Sequence, residues 1–287
     1  MGVHSISNTK ISISVNSLGA ELISFKKDSE EFLWQSDKAV WARYAPVLFP
    51  IVGKLRNNEF VYDNSIYNLP QHGFARDAEF TLIRQSKSSL EFELTADENT
   101  FKIYPFHFSL RILYELNENE LTIKYKVFNP DSKNLLFSIG AHPGFNCKSL
   151  KDHYLEFEGM NELVAEKLND GLLSGETYKL KLENGRLQLS SELFDNDALV
   201  FKNVQIEKVA LCAPSGSKVI MQCKNWSYFG IWSKKGSDAF VCLEPWFGIA
   251  DSVKSSGKLE HKEGVIDLAP YKTFEAEFSL EFRNLKN

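Results

Sequence analysis

His142 and Glu244 are the residues of this sequence whose types and neighbours best suit acid–base chemistry, and each stands directly before a proline. A proline restricts the residue before it to extended backbone, so the chain itself partly fixes the direction of both side chains. Carboxylates are rarely buried without a partner or a task, and Glu244 ends an apolar run. An imidazole and a carboxyl group presented in this way fit a positioned acid and base. Taken alone, His142 also fits a core or turn histidine with satisfied hydrogen bonds.

A second polar cluster surrounds a glycine in the segment 70–77. Gln71, His72 and Arg76 lie within six residues of one another. The glutamine offers a donor and an acceptor, and the arginine offers a planar fork for neighbouring oxygens. We interpret this cluster as a polar binding site, with a surface turn closed by an Arg76–Asp77 ion pair as the alternative.

Two other segments carry weaker signals. The segment 41–58 holds two prolines and the cations Arg43, Lys54 and Arg56 within an apolar stretch. It fits a wall that faces a sugar or a phosphate as well as it fits an edge loop with solvated charges. Asp197 ends an Asp-Asn-Asp run, which an Asx turn would explain without any function.

The elements that must position these groups are predicted to be strands. Apolar and polar residues alternate in the segments 11–16, 90–95, 108–116, 121–127 and 273–282. This period of two predicts half-buried antiparallel strands. Shorter apolar runs at 209–213, 219–223 and 240–243 predict strands covered on both faces. Helical periodicity is scarce, and its best candidate is the segment 160–168. We therefore predict an all-β fold in which residues 1–287 form a single domain of stacked antiparallel sheets, larger than an immunoglobulin sandwich.

Composition excludes several classes of protein. The chain has 33 Lys and Arg against 38 Asp and Glu, a net charge of -5, and no basic block, which argues against nucleic-acid binding. No apolar run approaches the roughly 20 residues of a membrane-spanning helix. The polar residues 1–10 do not resemble a signal or transit peptide, so we expect a cytoplasmic protein.

Neither the cysteines nor the histidines show metal-binding spacing. The cysteines are scattered at Cys147, Cys212, Cys223 and Cys242. We expect buried thiols, with a Cys212–Cys223 disulfide as the alternative. A metal site of His72, His142 and Glu244 is conceivable, but neighbouring arginines would repel a divalent cation. We therefore expect no metal and no cofactor.

Five short motifs, taken in order, resemble those of the aldose 1-epimerase (galactose mutarotase-like) superfamily. They are Gly-Lys-Leu-Arg-Asn-Asn at 53–58, Gln-His-Gly-Phe-Ala-Arg at 71–76, His-Pro-Gly-Phe at 142–145, Asn-Asp-Ala-Leu at 196–199 and Leu-Glu-Pro-Trp at 243–246. The resemblance covers nearly the whole chain and is closest to the LacX-like branch. The second motif is also similar to that of the hexose-6-phosphate 1-epimerases. The resemblance implies a β-supersandwich with an open active-site groove on one sheet.

The resemblance also implies roles for individual residues. It makes Glu244 the general base and His142 the general acid. It implies contacts to sugar or phosphate for Arg56, Gln71, Arg76 and Asp197. It implies either a substrate contact or a loop-supporting role for His72, and either a sugar platform or core packing for Trp246.

The implied reaction is the exchange of α and β anomers by an isomerase of the aldose or hexose-6-phosphate 1-epimerase type. Ring opening needs a base on the C1 hydroxyl and an acid on the ring oxygen, and no cofactor. We expect mutual attraction to lower the pKa of Glu244 and to raise that of His142. The expected partner is a sugar or sugar phosphate, bound by a monomer or weak homodimer. A non-catalytic carbohydrate-binding protein on the same fold is the alternative.

Overall fold

Antiparallel strands account for most of the regular structure. The computed structural model describes residues 2–202 and 206–284. In chain order the strands begin with β1 (Val3–Ser7), β2 (Ile11–Asn16), β3 (Glu21–Lys27), β4 (Glu30–Glu31), β5 (Val47–Leu48), β6 (Glu59–Tyr62), β7 (Ser65–Asn68), β8 (Thr81–Gln85), β9 (Ser89–Thr95), β10 (Ser109–Asn117), β11 (Glu120–Phe128), β12 (Leu135–Phe137) and β13 (Ile139–Ala141). They continue with β14 (Gly144–Asn146), β15 (Tyr154–Glu156), β16 (Glu162–Asn169), β17 (Leu172–Lys181), β18 (Arg186–Gln188), β19 (Leu199–Lys202), β20 (Lys208–Cys212), β21 (Ser217–Gln222), β22 (Tyr228–Trp232), β23 (Phe240–Phe247), β24 (Ile266–Leu268) and β25 (Thr273–Asn284).

Helix is scarce, as the sequence predicted. The short helix α1 spans Glu98–Ile103 and begins with a capping box in which Asp97 and Thr100 bond each other's backbone. Single 3₁₀ turns lie at Arg56–Asn58, Ala75–Asp77, Leu150–Asp152, Ser191–Phe194 and Leu259–His261. No helix in the described part of the chain has the length and apolar character to cross a bilayer.

Two large sheets dominate the architecture. One has nine strands in the order β18-β15-β20-β21-β25-β11-β10-β9-β8, and the other has eight in the order β17-β16-β19-β22-β23-β13-β5 with β14 also paired to β23. The strands predicted from alternation, such as β10, β11 and β25, are the centre of the first sheet. One hydrophobic cluster contains side chains from both sheets, so the sheets pack face to face. The all-β prediction is confirmed.

The helix predicted for the segment 160–168 is wrong. Residues Glu162–Asn169 form β16, which pairs with β17 in a hairpin. Leu163 and Ala165 are buried, whereas Val164 between them is 40% exposed, so the period is two. Apolar residues at 160, 163, 164 and 168 also match helical spacing. Pairing with β17 and β19 satisfies the backbone and decides between the two periods.

The cysteine prediction holds in its main form. Cys147, Cys212, Cys223 and Cys242 are all buried, free thiols, so the Cys212–Cys223 disulfide is not formed. The Cys212 thiol instead contacts the Ala210 carbonyl oxygen, and the Cys223 thiol contacts that of Ile206.

The register around β23 determines what lies on each face of the eight-stranded sheet. Gly140 of β13 pairs with Trp246, and Gly144 of β14 pairs with Cys242. Both pairs belong to one antiparallel register, which places His142 opposite Glu244. Because side chains alternate along a strand, these residues share one face, while the intervening residues of β23 pack in the main core.

Glycines on this face make room for the Trp246 indole. A Cβ on Gly140 would come within 2.6 Å of Trp246 Cδ1, and a Cβ on Gly230 of β22 would overlap the far edge of the same ring. The indole therefore lies almost flat on the sheet, buried at 5% exposure, and forms a floor beside Glu244.

We expect Gly230→Ala to lower the free energy of unfolding by about 1–3 kcal/mol, the usual cost of overpacking. Chemical denaturation of the wild type and variant measures the difference. The same substitution in a Trp246→Phe background should cost less, because the smaller ring leaves space for the methyl group. An equal cost in both backgrounds would contradict the packing described here.

Candidate active site

A cavity of about 300 Å³ lies over this face of the eight-stranded sheet. Its volume is at the lower end of the roughly 300–1,000 Å³ typical of small-molecule sites and suits a monosaccharide. The structure brings together in its lining all but one of the predicted site residues, namely Gln71, His72, Arg76, His142, Asp197, Glu244 and Trp246. These residues come from loops and from strand β23, far apart in the sequence, so the fold assembles the predicted set in one place.

The imidazole and the carboxyl group face each other in this cavity. His142 Nε2 lies 3.3 Å from Glu244 Oε2, and the two residues are 8% and 1% exposed. Among the described residues, neither His142 Nδ1 nor Glu244 Oε2 has a hydrogen-bond partner. Buried polar groups are nearly always paired, so atoms left open beside a cavity indicate a place for a ligand.

Burial controls the charge of this pair. It lowers the pKa of His142 to about 3, and it raises the pKa of Glu244 well above its ordinary value. The expectation that mutual attraction would lower the pKa of Glu244 and raise the pKa of His142 is therefore wrong. Removing each charge from water costs more than the pair regains at this depth.

One shared proton is the chemical consequence of these shifts. A neutral carboxylic acid beside a neutral imidazole holds the same number of protons as a carboxylate beside an imidazolium. The pair therefore keeps one proton over a wide pH range. It can accept a proton from one side of a ligand and donate a proton to the other.

His72 is fixed by its own backbone and by a neighbouring amide. It adopts a left-handed conformation with φ of 67°, and Gly53 N–H donates to its Nδ1 over 3.2 Å. The accepting Nδ1 leaves the proton on Nε2, which makes that nitrogen a donor. Burial, with His142 and Arg76 nearby, holds the pKa of His72 well below its usual value. His72 thus supports the loop and also lines the cavity.

Among the described residues, Arg76 is the one arginine or lysine that lines the cavity. Its guanidinium donates to the Gln71 carbonyl over 2.7 Å, and its buried Nε has no hydrogen-bond partner. Asp197 also lines the cavity, from the loop before β19, and its Oδ1 accepts from the N–H of the next residue, Ala198, over 2.8 Å. The Asx turn considered as an alternative would need a bond from the residue two further on, and this bond is not of that kind.

The other three predicted cations bind elsewhere. Arg43 pairs with Asp77 at 2.9 Å, and Lys54 pairs with Asp170 at 2.6 Å. Arg56 is exposed and donates to the Ser255 carbonyl over 2.8 Å. Arg56 does not line the cavity, so the structure does not bring it together with the other predicted site residues.

Two tryptophans that the sequence did not single out line the cavity. Trp41 stacks on His142 with ring centroids 5.1 Å apart, and Trp232 meets the same imidazole edge-on at 5.6 Å. Trp246, predicted as a platform or a core residue, is mostly buried, and its indole forms the floor of the cavity described above. The aromatic content of 13% was the signal available, but it does not say which rings reach the cavity.

A buried ion pair holds one wall of the cavity. Lys262 Nζ lies 3.0 Å from Asp251 Oδ1, and both side chains are less than 5% exposed. Asp251 Oδ2 also accepts the Arg56 N–H, which ties the 249–251 segment to the loop after Gly53. Ile249 and Ala250 line the cavity, so this pair positions that wall. No sequence motif pointed to it.

Comparison with known proteins places these features in a family. The sequence model described as aldose 1-epimerase matches residues 2–270. The chain belongs to the aldose 1-epimerase family. A protein named LacX from Lactococcus lactis is 31% identical over 97% of this chain and 99% of that relative. A solved structure of a galactose mutarotase related enzyme from Lactobacillus acidophilus is 36% identical, covers 99% of this chain and 98% of that one, and superposes with a TM-score of 0.94.

A more distant relative carries a more specific name. A protein of Escherichia coli with the provisional name glucose-6-phosphate 1-epimerase is 26% identical over 54% of this chain and 53% of that relative. The aldose 1-epimerase family and the galactose mutarotase-like fold, both expected from the five motifs, are confirmed. The family match and these relatives support a carbohydrate epimerase, and the roles of individual residues stay predictions.

We expect Lys262→Met to lower the free energy of unfolding by about 3–5 kcal/mol, because Asp251 would remain buried without its cation. Thermal or chemical denaturation measures the loss. Lys179→Met is the matched control, since Lys179 forms an exposed pair with Glu162 and should cost at most about 1 kcal/mol. Similar costs for the two variants would contradict the role given to the buried pair.

Proposed function

We propose that this protein is a 1-epimerase that interconverts the α and β anomers of an aldose or an aldose phosphate. Glu244 is the general base and His142 is the general acid. The observation that carries the proposal is the pair itself, an imidazole and a carboxyl group 3.3 Å apart. Each group has a buried polar atom without a hydrogen-bond partner, and both line a monosaccharide-sized cavity. Membership of the aldose 1-epimerase family supports the same reaction.

Ring opening moves two protons in concert. Glu244 takes the proton of the C1 hydroxyl, the bond between C1 and the ring oxygen breaks, and His142 gives its proton to that oxygen. The open-chain aldehyde rotates about C1–C2, and the reverse transfers close the ring on the other face of C1. Each transfer assisted in this way contributes roughly 10²–10⁴-fold.

Burial makes the neutral pair the resting form, so the Glu244 proton must first pass to His142 to give the carboxylate and imidazolium that open the ring. Burial raises the free energy of this charged form, and that free energy is regained when ring opening leaves both groups neutral. The stacked Trp41 ring stabilises the imidazolium that precedes it, because an aromatic face attracts a cation.

His142→Asn and Glu244→Gln should each slow anomer exchange by about 10²–10⁴-fold while the protein stays folded. Polarimetry or NMR exchange spectroscopy on a panel of aldoses and their 6-phosphates measures the rates. The control is His153→Asn, a buried histidine that contacts the Ser149 carbonyl and lies outside the cavity lining.

The panel also tests the alternative, a carbohydrate-binding protein without catalysis. Sugar binding with no acceleration of anomer exchange, alike in the wild type and in Glu244→Gln, would favour that alternative. It would remove the epimerase proposal.

The pH–rate profile should be a bell with a broad top. On the acid side, activity falls when the pair takes up a second proton, and the pKa of His142 near 3 places this limb at low pH. On the alkaline side, activity falls when the shared proton leaves, and the raised pKa of Glu244 moves this limb upward. Initial rates across the pH range test this, and a rate that still climbs above about pH 9 would rule out a protonated acid.

Arg76 should set substrate affinity through its charge and its Nε, which lies 3.8 Å from Asp77 Oδ2 and makes no hydrogen bond. We expect Arg76→Gln to raise KM by about 10-fold or more, as loss of a charge-assisted hydrogen bond does, with a smaller change in kcat. Arg84→Gln is the control, because Arg84 is exposed, pairs with Glu91 and does not line the cavity. A larger effect on 6-phosphates than on free aldoses would identify Arg76 as a phosphate ligand, and an unchanged KM for every sugar would contradict a substrate contact.

A further inference from the structure

Cys242 lies on the same sheet face as the acid–base pair. It stands two residues before Glu244 on β23, so both side chains project from one side of the strand. Its cross-strand partner is Gly144, two residues after His142. The thiol is fully buried, and within the described chain it makes no hydrogen bond.

One ligand atom each from His142, Cys242 and Glu244 lies within 4.8 Å of the others. A tetrahedral zinc ion with bonds of about 2.0–2.3 Å separates its ligand atoms by roughly 3.3–3.6 Å. The 3.3 Å between His142 Nε2 and Glu244 Oε2 already matches one edge of such a tetrahedron. A shift of about 1 Å by the cysteine side chain would complete the other edges.

Two further observations point to a ligand at this place. The Glu244 Oε2 atom, one of the proposed ligand atoms, is buried without a hydrogen-bond partner. His142 and Glu244 line the cavity, so an ion can reach them and can keep its fourth position open toward the cavity.

We propose that His142, Cys242 and Glu244 form a binding site for a thiophilic divalent cation such as Zn²⁺ or Cd²⁺. Binding replaces the S–H proton of Cys242 with a metal–sulfur bond and displaces the one proton that the Glu244–His142 pair holds, and both protons go to solvent. A thiolate and a carboxylate neutralise the two positive charges, which offsets repulsion from Arg76, whose guanidinium already donates to the Gln71 carbonyl. Thiolate and imidazole ligands select such ions over Mg²⁺ and Ca²⁺.

The bound ion acts as a reversible inhibitor. It takes the lone pairs with which Glu244 and His142 would exchange protons with a sugar. The catalytic pair is thus also a sensor of free zinc, with Cys242 as the residue that confers sensitivity. Inhibition rests on the proposed epimerase activity, whereas metal binding does not.

Titration with Cd²⁺ alone, followed by the thiolate-to-cadmium charge-transfer band in the ultraviolet, tests binding without reference to activity. We expect the band in the wild type and in Cys212→Ser, whose thiol is also buried, and its loss in Cys242→Ala. Zn²⁺ should inhibit anomer exchange, a chelator should reverse the inhibition, and Cys242→Ala should weaken it by at least about 10-fold, since even an outer partner of a metal ligand is worth roughly 10–100-fold.

X-ray absorption of the zinc complex of the wild type needs no variant and decides the case if Cys242→Ala does not fold. One sulfur together with nitrogen and oxygen ligands supports the site, and a shell without sulfur overturns it. The proposal is equally overturned if the Cd²⁺ band persists in a folded Cys242→Ala protein or if neither ion binds. Metal binding with no measurable epimerase activity would support the site and contradict the proposed function instead.

Discussion

The antiparallel register of β13, β14 and β23 is the constraint on which the site depends. A shift of one residue would turn His142 and Glu244 to opposite faces of the sheet, because side chains alternate along a strand. The register is strongly specified, since the other face of these strands packs in the main core. Gly140 and Gly144 belong to the same row, where a larger side chain would collide with Trp246 or Trp41. The packing that stabilises the sheet therefore also aligns the His142–Glu244 pair.

Burial is the second property that the fold gives to the His142–Glu244 pair. An exposed histidine and glutamate at this distance would form an ordinary ion pair worth at most about 1 kcal/mol. Beneath Trp41 and Trp232, both charges lose their water, and a single proton held between two neutral groups becomes the resting state. The resting site thus holds no fixed ion pair. A ligand in the cavity would supply hydrogen-bond partners for the buried polar atoms of His142 and Glu244 that have none.

The sequence predicted the strands and most of the site, because alternation and short motifs are local signals. His142 and Glu244 were found from their proline neighbours, without knowledge of the register that joins them. Burial depends on residues far apart in the sequence, so the directions of the two pKa shifts were predicted wrongly. The same limit explains why the motif that holds Arg56 does not reveal that Arg56 lies outside the cavity. It also explains why β16 has apolar residues at helical spacing although its pairing with β17 makes it a strand.

The ion pair between Lys54 and Asp170 gives the cavity a solvent-exposed rim, whereas its floor is buried. Gly53 and Gly171, their chain neighbours, both line the cavity, and the ion pair that joins the two segments has Asp170 largely in solvent. Dissolved ions screen such a pair but leave the packed tryptophans and the Asp251–Lys262 contact almost untouched. Ionic strength therefore acts on the rim of the cavity, while the His142–Glu244 pair at its floor lies in surroundings that salt does not reach.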